Sequence, residues 1–112
     1  GNRSVAAEQA RAIVDEETNK FMEWSAAYAV TPIIKAIRLD AERIREQEVA
    51  HLLKTLDCTL SEHDLKSLEL ATNAIVKKIL HSPTVRMRES AGLREGYETI
   101  DAARYLFDVP HL

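Results

Sequence analysis

Residues 32–56 read PIIKAIRLDAERIREQEVAHLLKTL, and this stretch decides the fold. Its apolar side chains recur every three or four positions, as they do on one side of an α-helix, and charged residues stand between them. The apolar band is broad, running from Ile33 through Ile44 to Leu56. A band of this width predicts a helix that packs against more than one neighbour.

An earlier helix is predicted before this stretch, from Arg3 to Val30, where apolar residues again follow helical spacing. Its first half is polar around most of the circumference, so this helix needs a partner or belongs to a longer structure. Proline cannot donate the hydrogen bond that a preceding turn requires. Thr31-Pro32 therefore predicts the end of this first helix and the capped start of the second.

The rest of the chain predicts two more helices. After a short connector over residues 57–60, Ser61 is a suitable N-cap for a third helix that reaches about His81, where Ser82-Pro83 is expected to close it. Gly92 and Gly96 bracket a predicted loop. A last helix is predicted over residues 97–107 and ends before Pro110. The fold class predicted is an all-α helical bundle with a long N-terminal helix.

Composition and charge narrow the function classes. The 112 residues carry 15 basic and 18 acidic side chains, so the net charge of -3 argues against a broad positive field for nucleic acid. No apolar run approaches the roughly 20 residues that span a bilayer, and no signal segment opens the chain. The lone Cys58 fits a reducing compartment. We therefore expect a cytoplasmic protein with no membrane contact.

The patterns that usually carry chemistry are missing from the sequence. Its three glycines stand singly, which argues against a phosphate-binding loop, and its four histidines share no helical face. Glu42 and Glu46 lie one turn apart but lack the histidine partner of a metal-binding helix pair. Asp57 beside Cys58 disfavours the thiolate that a nucleophile needs. We predict no catalytic, cofactor-binding or metal-binding residue in this chain.

Two surface patterns stand out. Lys35, Arg38 and Arg45 fall near one face of the second helix, but Glu42 interrupts them, so a solvated or interfacial salt-bridged face is favoured over a phosphate-binding one. Phe21 and Trp24 begin an aromatic stripe at helical spacing, which is more typical of a core or an interface than of a ligand platform.

Three segments carry a family pattern, in the family's order: Phe21-x-x-Trp24; residues 32–38, followed by residues 41–45 and Glu48; and residues 72–84, TNAIVKKILHSPT. Together they resemble the C-terminal dimerisation domain of glutamyl-tRNA reductase, over about residues 8 to 88. Ile33 and Lys77 depart from the residues that the family often has at those points. The part from Gly92 onward matches poorly.

The resemblance implies a parent enzyme that reduces the glutamyl group of glutamyl-tRNA with NADPH, giving glutamate-1-semialdehyde for tetrapyrrole (porphyrin and haem) synthesis. In the family, the nucleophilic cysteine and the NADPH site lie in other domains, so Cys58 does not inherit the nucleophile's role. The implied division gives residues 1–30 to the end of a long spinal helix, residues 31–91 to the dimerisation core, and residues 92–112 to a loop and a short helix.

We therefore predict a bundle that is completed by homodimerisation, in which one apolar patch meets its own copy. The candidates for its interface or core are Phe21, Trp24, Ile34, Ile37, Arg38, Ile44, Leu68, Ile75, Val76 and Ile79. A stand-alone helical adaptor that binds a partner helix is the alternative. A weak tRNA contact through the basic face is a further prediction.

Overall fold

The computed structural model of this chain describes residues 2–111, without the side chains of residues 2, 3 and 23. Gly1 and Leu112, the outer limits of the predicted segments, lie outside the described residues. Residues 2–111 form three α-helices and no strand: α1 over Asn2–Thr55, α2 over Glu62–Ala91 and α3 over Gly96–Phe107. The predicted all-α class with a long N-terminal helix is confirmed.

The predicted break at Thr31-Pro32 is wrong, because α1 continues through Pro32 to Thr55. A proline inside a helix removes one backbone hydrogen bond and costs about 3 kcal/mol or more. Val30 and Ile33 are buried next to it, as are Ile34 and Ile37. Burial of each such side chain contributes about 1.5–3 kcal/mol. Packing on both sides of the proline therefore outweighs its local cost.

The predicted end of the third helix at Ser82-Pro83 is wrong for the same reason. That helix, α2, passes through Pro83 and ends at Ala91. Thr84, Met87 and Ala91 lie one helical turn apart in the added segment, and all three are buried. The extension thus buries a further face of the helix, which offsets the hydrogen bond lost at the proline.

The start of α2 follows its prediction. Residues 56–61 form the connector, and the Ser61 hydroxyl oxygen accepts a hydrogen bond from the Asp64 backbone N–H at 3.1 Å. This bond satisfies one of the free amides of the first turn. At the other end of the chain, α3 ends at Phe107, where Asp108 takes the left-handed conformation (φ 53°) and its N–H donates to the Arg104 carbonyl.

The chain divides into two compact units. The first joins the residues up to Ile33 with those from Met87 onward, and the second is Ile34–Arg86. In the first unit the helices approach closely at Gly96, where an added Cβ would lie 2.9 Å from both the Ala26 Cβ and the Ala91 carbonyl oxygen. The side chains buried in this unit are Ala26, Val30, Ile33, Met87, Ala91, Ile100, Ala103 and Val109.

In the second unit, residues 34–55 of α1 and residues 62–86 of α2 supply the helical surfaces. Ile34, Ile37 and Leu80 are its buried apolar side chains. None of the described helices is long and apolar enough to cross a bilayer.

Candidate functional site

An apolar groove lies between α1 and α2 in the second unit. It has a volume of about 390 Å³. The helices supply apolar side chains to its walls at helical spacing, and three polar residues complete the lining. The apolar lining residues are Ala41, Ile44, Val49 and Leu52 of α1 and Leu68, Ile75, Val76, Ile79 and Leu80 of α2; the polar ones are Arg45, Glu48 and Thr72.

Much of this lining is open to solvent in the single chain. Ile44 is 48% exposed, Ile75 57% and Ile79 67%. Exposed isoleucines are ordinary when they are scattered, but a contiguous apolar groove with polar residues at its margin marks an interaction site. Covering this surface contributes about 25 cal/mol for each Å² removed from water. The groove therefore favours binding of another apolar surface.

A polar cluster fixes one wall of the groove. The Arg45 Nε donates to a Glu42 carboxylate oxygen at 2.8 Å, and a second guanidinium nitrogen bonds the other carboxylate oxygen. Arg45 also donates to the Thr72 hydroxyl on α2 at 3.2 Å. The guanidinium thus ties α1 to α2, and the groove walls are held at a defined separation.

The same cluster shifts the ionisation of both charged groups. Hydrogen bonds from Arg45 stabilise the ionised carboxylate and lower the pKa of Glu42 below its ordinary value. In turn, the Glu42 carboxylate stabilises the guanidinium and raises the pKa of Arg45. The spacing of these two residues, three positions apart on one helix, is the sequence signal that could have revealed the pair.

The predicted basic face changes in composition. The Arg45 side chain is only 9% exposed and is bound to Glu42, which fits the salt-bridged alternative for this face and removes Arg45 from the charges open to phosphates. Lys35 and Arg38 are exposed. Arg38 also lines a cavity of about 360 Å³, together with Lys77 and His81 of α2.

The aromatic candidates lie in the first unit and do not pack into its core. Phe21, Trp24 and Tyr28 are all exposed on α1. Their rings contact one another: Trp24 and Tyr28 stack with centroids 5.9 Å apart, and Phe21 and Trp24 lie 6.2 Å apart. Phe21 and Trp24 therefore do not belong to the core of the single chain, and their role at an interface stays a prediction.

The remaining candidates separate into two groups. Ile34 and Ile37 are buried within the second unit. The groove brings together the other apolar candidates: Ile44, Leu68, Ile75, Val76 and Ile79. Helical spacing also places Thr72 on the face of Leu68 and Ile75, but it gives no sign of the hydrogen bond by which Arg45 of α1 joins Thr72 of α2.

The reactive side chains are dispersed. Cys58 is exposed in the connector between α1 and α2. Among residues 2–111, no three His, Cys, Asp or Glu side chains are grouped in a way that could hold a metal ion. The Glu42 carboxylate, one of the pair weighed as metal ligands, is occupied by Arg45.

Comparisons with known proteins identify a family for this chain. Residues 9–109 match a family model described as "Glutamyl-tRNAGlu reductase, dimerisation domain". No solved structure matches the chain.

Similar curated proteins carry the name glutamyl-tRNA reductase. One from Syntrophobacter fumaroxidans is 39% identical over 107 residues, which cover 96% of this chain and 23% of that protein. One from Roseiflexus castenholzii is 36% identical over 107 residues, which cover 96% of this chain and 24% of that protein. One from Sulfurihydrogenibium sp. is 31% identical over 105 residues, which cover 94% of this chain and 24% of that protein. The chain thus spans about a quarter of the length of the curated relatives that it matches.

Proposed function

The chain belongs to the family of glutamyl-tRNA reductase dimerisation domains, and from this premise we propose that it joins two copies of a longer glutamyl-tRNA reductase into a homodimer. The observation that carries the proposal is the apolar groove between α1 and α2, whose isoleucines stay exposed in the single chain. A symmetric dimer covers such a surface with its own copy, so that each chain supplies both a groove and an occupant.

The chemistry of the parent enzyme is assigned outside this chain. We propose that the parent reduces glutamyl-tRNA to glutamate-1-semialdehyde with NADPH, in tetrapyrrole synthesis. The chain covers about a quarter of its relatives' length, which leaves room elsewhere for the nucleophile and the NADPH-binding domain. In this proposal residues 1–30 end the spinal helix and residues 31–91 form the dimerisation core. The exposed Cys58 supports placing the parent in a reducing compartment, the cytoplasm.

Sedimentation of the chain at micromolar concentration tests the dimer. The expected mass is about twice 12.6 kDa. Ile79→Asp places a charge in the groove and should produce a monomer, because an unpaired carboxylate is costly to bury in an apolar interface. Leu70→Asp is the matched control: Leu70 is 61% exposed on the same helix and is not part of the groove lining, so this variant should stay dimeric.

Two outcomes would overturn the proposed dimer. A wild-type chain that sediments only as a monomer would favour the adaptor hypothesis, in which a different protein's helix enters the groove. Equal dissociation of the Ile79→Asp and Leu70→Asp variants would place the contact outside the groove.

A tRNA contact is a separate and smaller proposal. Lys35 and Arg38 are exposed and remain available to phosphates, whereas Arg45 is bound to Glu42 and is not available. Contact through phosphates predicts tRNA binding by the chain that weakens steeply as salt increases. Filter binding at two salt concentrations measures it, with Lys35→Ala and Arg38→Ala together as the variant. Binding that is indifferent to salt or to this variant would contradict the proposal.

A further inference from the structure

The groove face of α2 has the spacing of a helix-pairing seam. Leu68, Thr72, Ile75 and Ile79 follow one another at intervals of four, three and four residues, and all four line the groove. Intervals that alternate between three and four residues put the side chains along one stripe of a helix, as in pairs of helices that pack side by side. The seam on α2 therefore fits another long helix.

The seam is symmetric about its own centre, between Thr72 and Ile75. If a second α2 lies on it in the antiparallel direction, Leu68 faces the partner's Ile79, and Thr72 faces the partner's Ile75. Each of the four positions then meets a different residue. In a parallel arrangement each residue would meet its own copy, and the Thr72 hydroxyls would face each other within the apolar seam.

The charges along α2 distinguish between these two directions. Residues 62–76 carry three acidic side chains, Glu62, Asp64 and Glu69, against the single basic Lys66. Residues 77–86 carry Lys77, Lys78 and Arg86 and no acidic residue. Parallel helices would set the lysines against lysines and the acids against acids, which is unfavourable.

Antiparallel pairing about the same centre brings opposite charges together. It sets the acidic segment 62–69 of each α2 level with segment 78–85 of its partner, which contains Lys78 and no acidic residue, and by symmetry this matching occurs twice. Complementary charges at the margin of an apolar contact set its direction and register more than its strength.

We propose that two copies of this chain pair through antiparallel α2 helices, with the two-fold axis passing between Thr72 and Ile75. This inference rests on the proposed function and adds to it the helix that crosses the axis, its direction and its register. The occupant of each groove is then the α2 helix of the other copy.

Disulfide trapping tests the register, in full chains whose Cys58 is replaced by serine. Leu68→Cys and Ile79→Cys chains are oxidised separately and as an equal mixture, and the covalent dimers are identified by mass. A disulfide needs Cα atoms within about 7 Å. In the proposed pairing the two Leu68 positions lie about 16 Å apart along the helix, from a rise of 1.5 Å per residue. The mixture should therefore form the mixed dimer, and neither variant alone should cross-link.

Leu70→Cys serves as the control for random oxidation, because Leu70 is exposed outside the groove. Cross-linking of Leu68→Cys with itself would show parallel α2 helices and overturn the proposal. The proposal would also be overturned if the mixed Leu68→Cys and Ile79→Cys dimers were no more abundant than the dimers of Leu70→Cys while sedimentation shows that the chains are dimeric. In both cases the proposed function survives, whereas a monomer in sedimentation removes the dimer itself, so the two failures are distinguishable.

Discussion

The core of the first unit and the groove of the second use isoleucine residues in opposite ways. In the first unit Ile100 is 1% exposed, and Gly96 leaves no space for a methyl group between α1 and α2. In the second unit isoleucines of the same size remain open along a groove. A closed core stabilises the chain by itself, whereas an open groove releases its burial free energy only when a partner arrives. The same helical pattern therefore serves folding in the first unit and remains available for association in the second.

The largest expected effect comes from removing one isoleucine from each unit. Ile100→Ala should lower the free energy of unfolding by about 2–5 kcal/mol, because it leaves a cavity in a closed core. Ile79→Ala removes a side chain that is mostly in water in the single chain, so its cost should arise only in the dimer. Urea unfolding at a high and a low protein concentration measures both variants.

The dependence on concentration is the decisive readout. The deficit of Ile100→Ala relative to wild type should be the same at both concentrations, and the deficit of Ile79→Ala should disappear below the concentration at which the dimer dissociates. If Ile79→Ala kept its full deficit in that dilute range, the groove would belong to the core of the single chain, and the contrast between the units would be lost.

The next effect uses two glycines that differ only in their surroundings. Gly96→Ala should destabilise the chain by about 1–3 kcal/mol, because its Cβ meets the Ala26 Cβ and the Ala91 backbone at 2.9 Å. At Gly92 the nearest atom to an added Cβ is the Glu89 carbonyl oxygen at 3.7 Å, an ordinary contact. Thermal unfolding of the two variants compares them, and an equal shift in Tm would contradict close packing at Gly96.

The sequence predicted the all-α class correctly, but it predicted four helices where residues 2–111 form three, and it placed two helix ends wrongly. Helical spacing and the Ser61 cap are local signals, and the structure follows them. Pro32 and Pro83 were expected to end helices because a local rule says so. Both lie inside helices instead, because residues on either side of each proline are buried by contacts distant in sequence.

The apolar residues of the candidate site could be predicted from the sequence, but their exposure to solvent could not. Ile37 and Ile44 belong to one apolar band in the sequence, yet Ile37 is buried and Ile44 is half exposed. Periodicity identifies a face that avoids water but does not tell whether the same chain or a partner covers it. The exposure of the basic face was also unpredictable, since the burial of the Arg45 side chain involves its contact with Thr72 of α2, 27 positions away in the sequence.

The smallest expected effect concerns the polar cluster that fixes the groove wall. The Arg45 guanidinium lowers the pKa of Glu42, so this carboxylate stabilises the folded chain above its unfolded pKa. That contribution is lost as pH falls through the lowered folded pKa. Glu42→Gln should therefore be less stable than wild type near neutral pH, and the difference should shrink on acidification. Urea midpoints of both chains from about pH 7 to about pH 3, at constant ionic strength, measure it.

Thr72→Val is the matched control for this titration, because it removes the other hydrogen-bond acceptor of Arg45 without removing a titratable group. Its deficit relative to wild type should stay nearly constant over the same pH range. A Glu42→Gln deficit that is equally constant would show that Glu42 acts through packing and not through its charge. A shrinking deficit for Glu42→Gln alone would show that the charge of Glu42 stabilises the second unit through Arg45, in contrast to the first unit, where close apolar packing positions the helices.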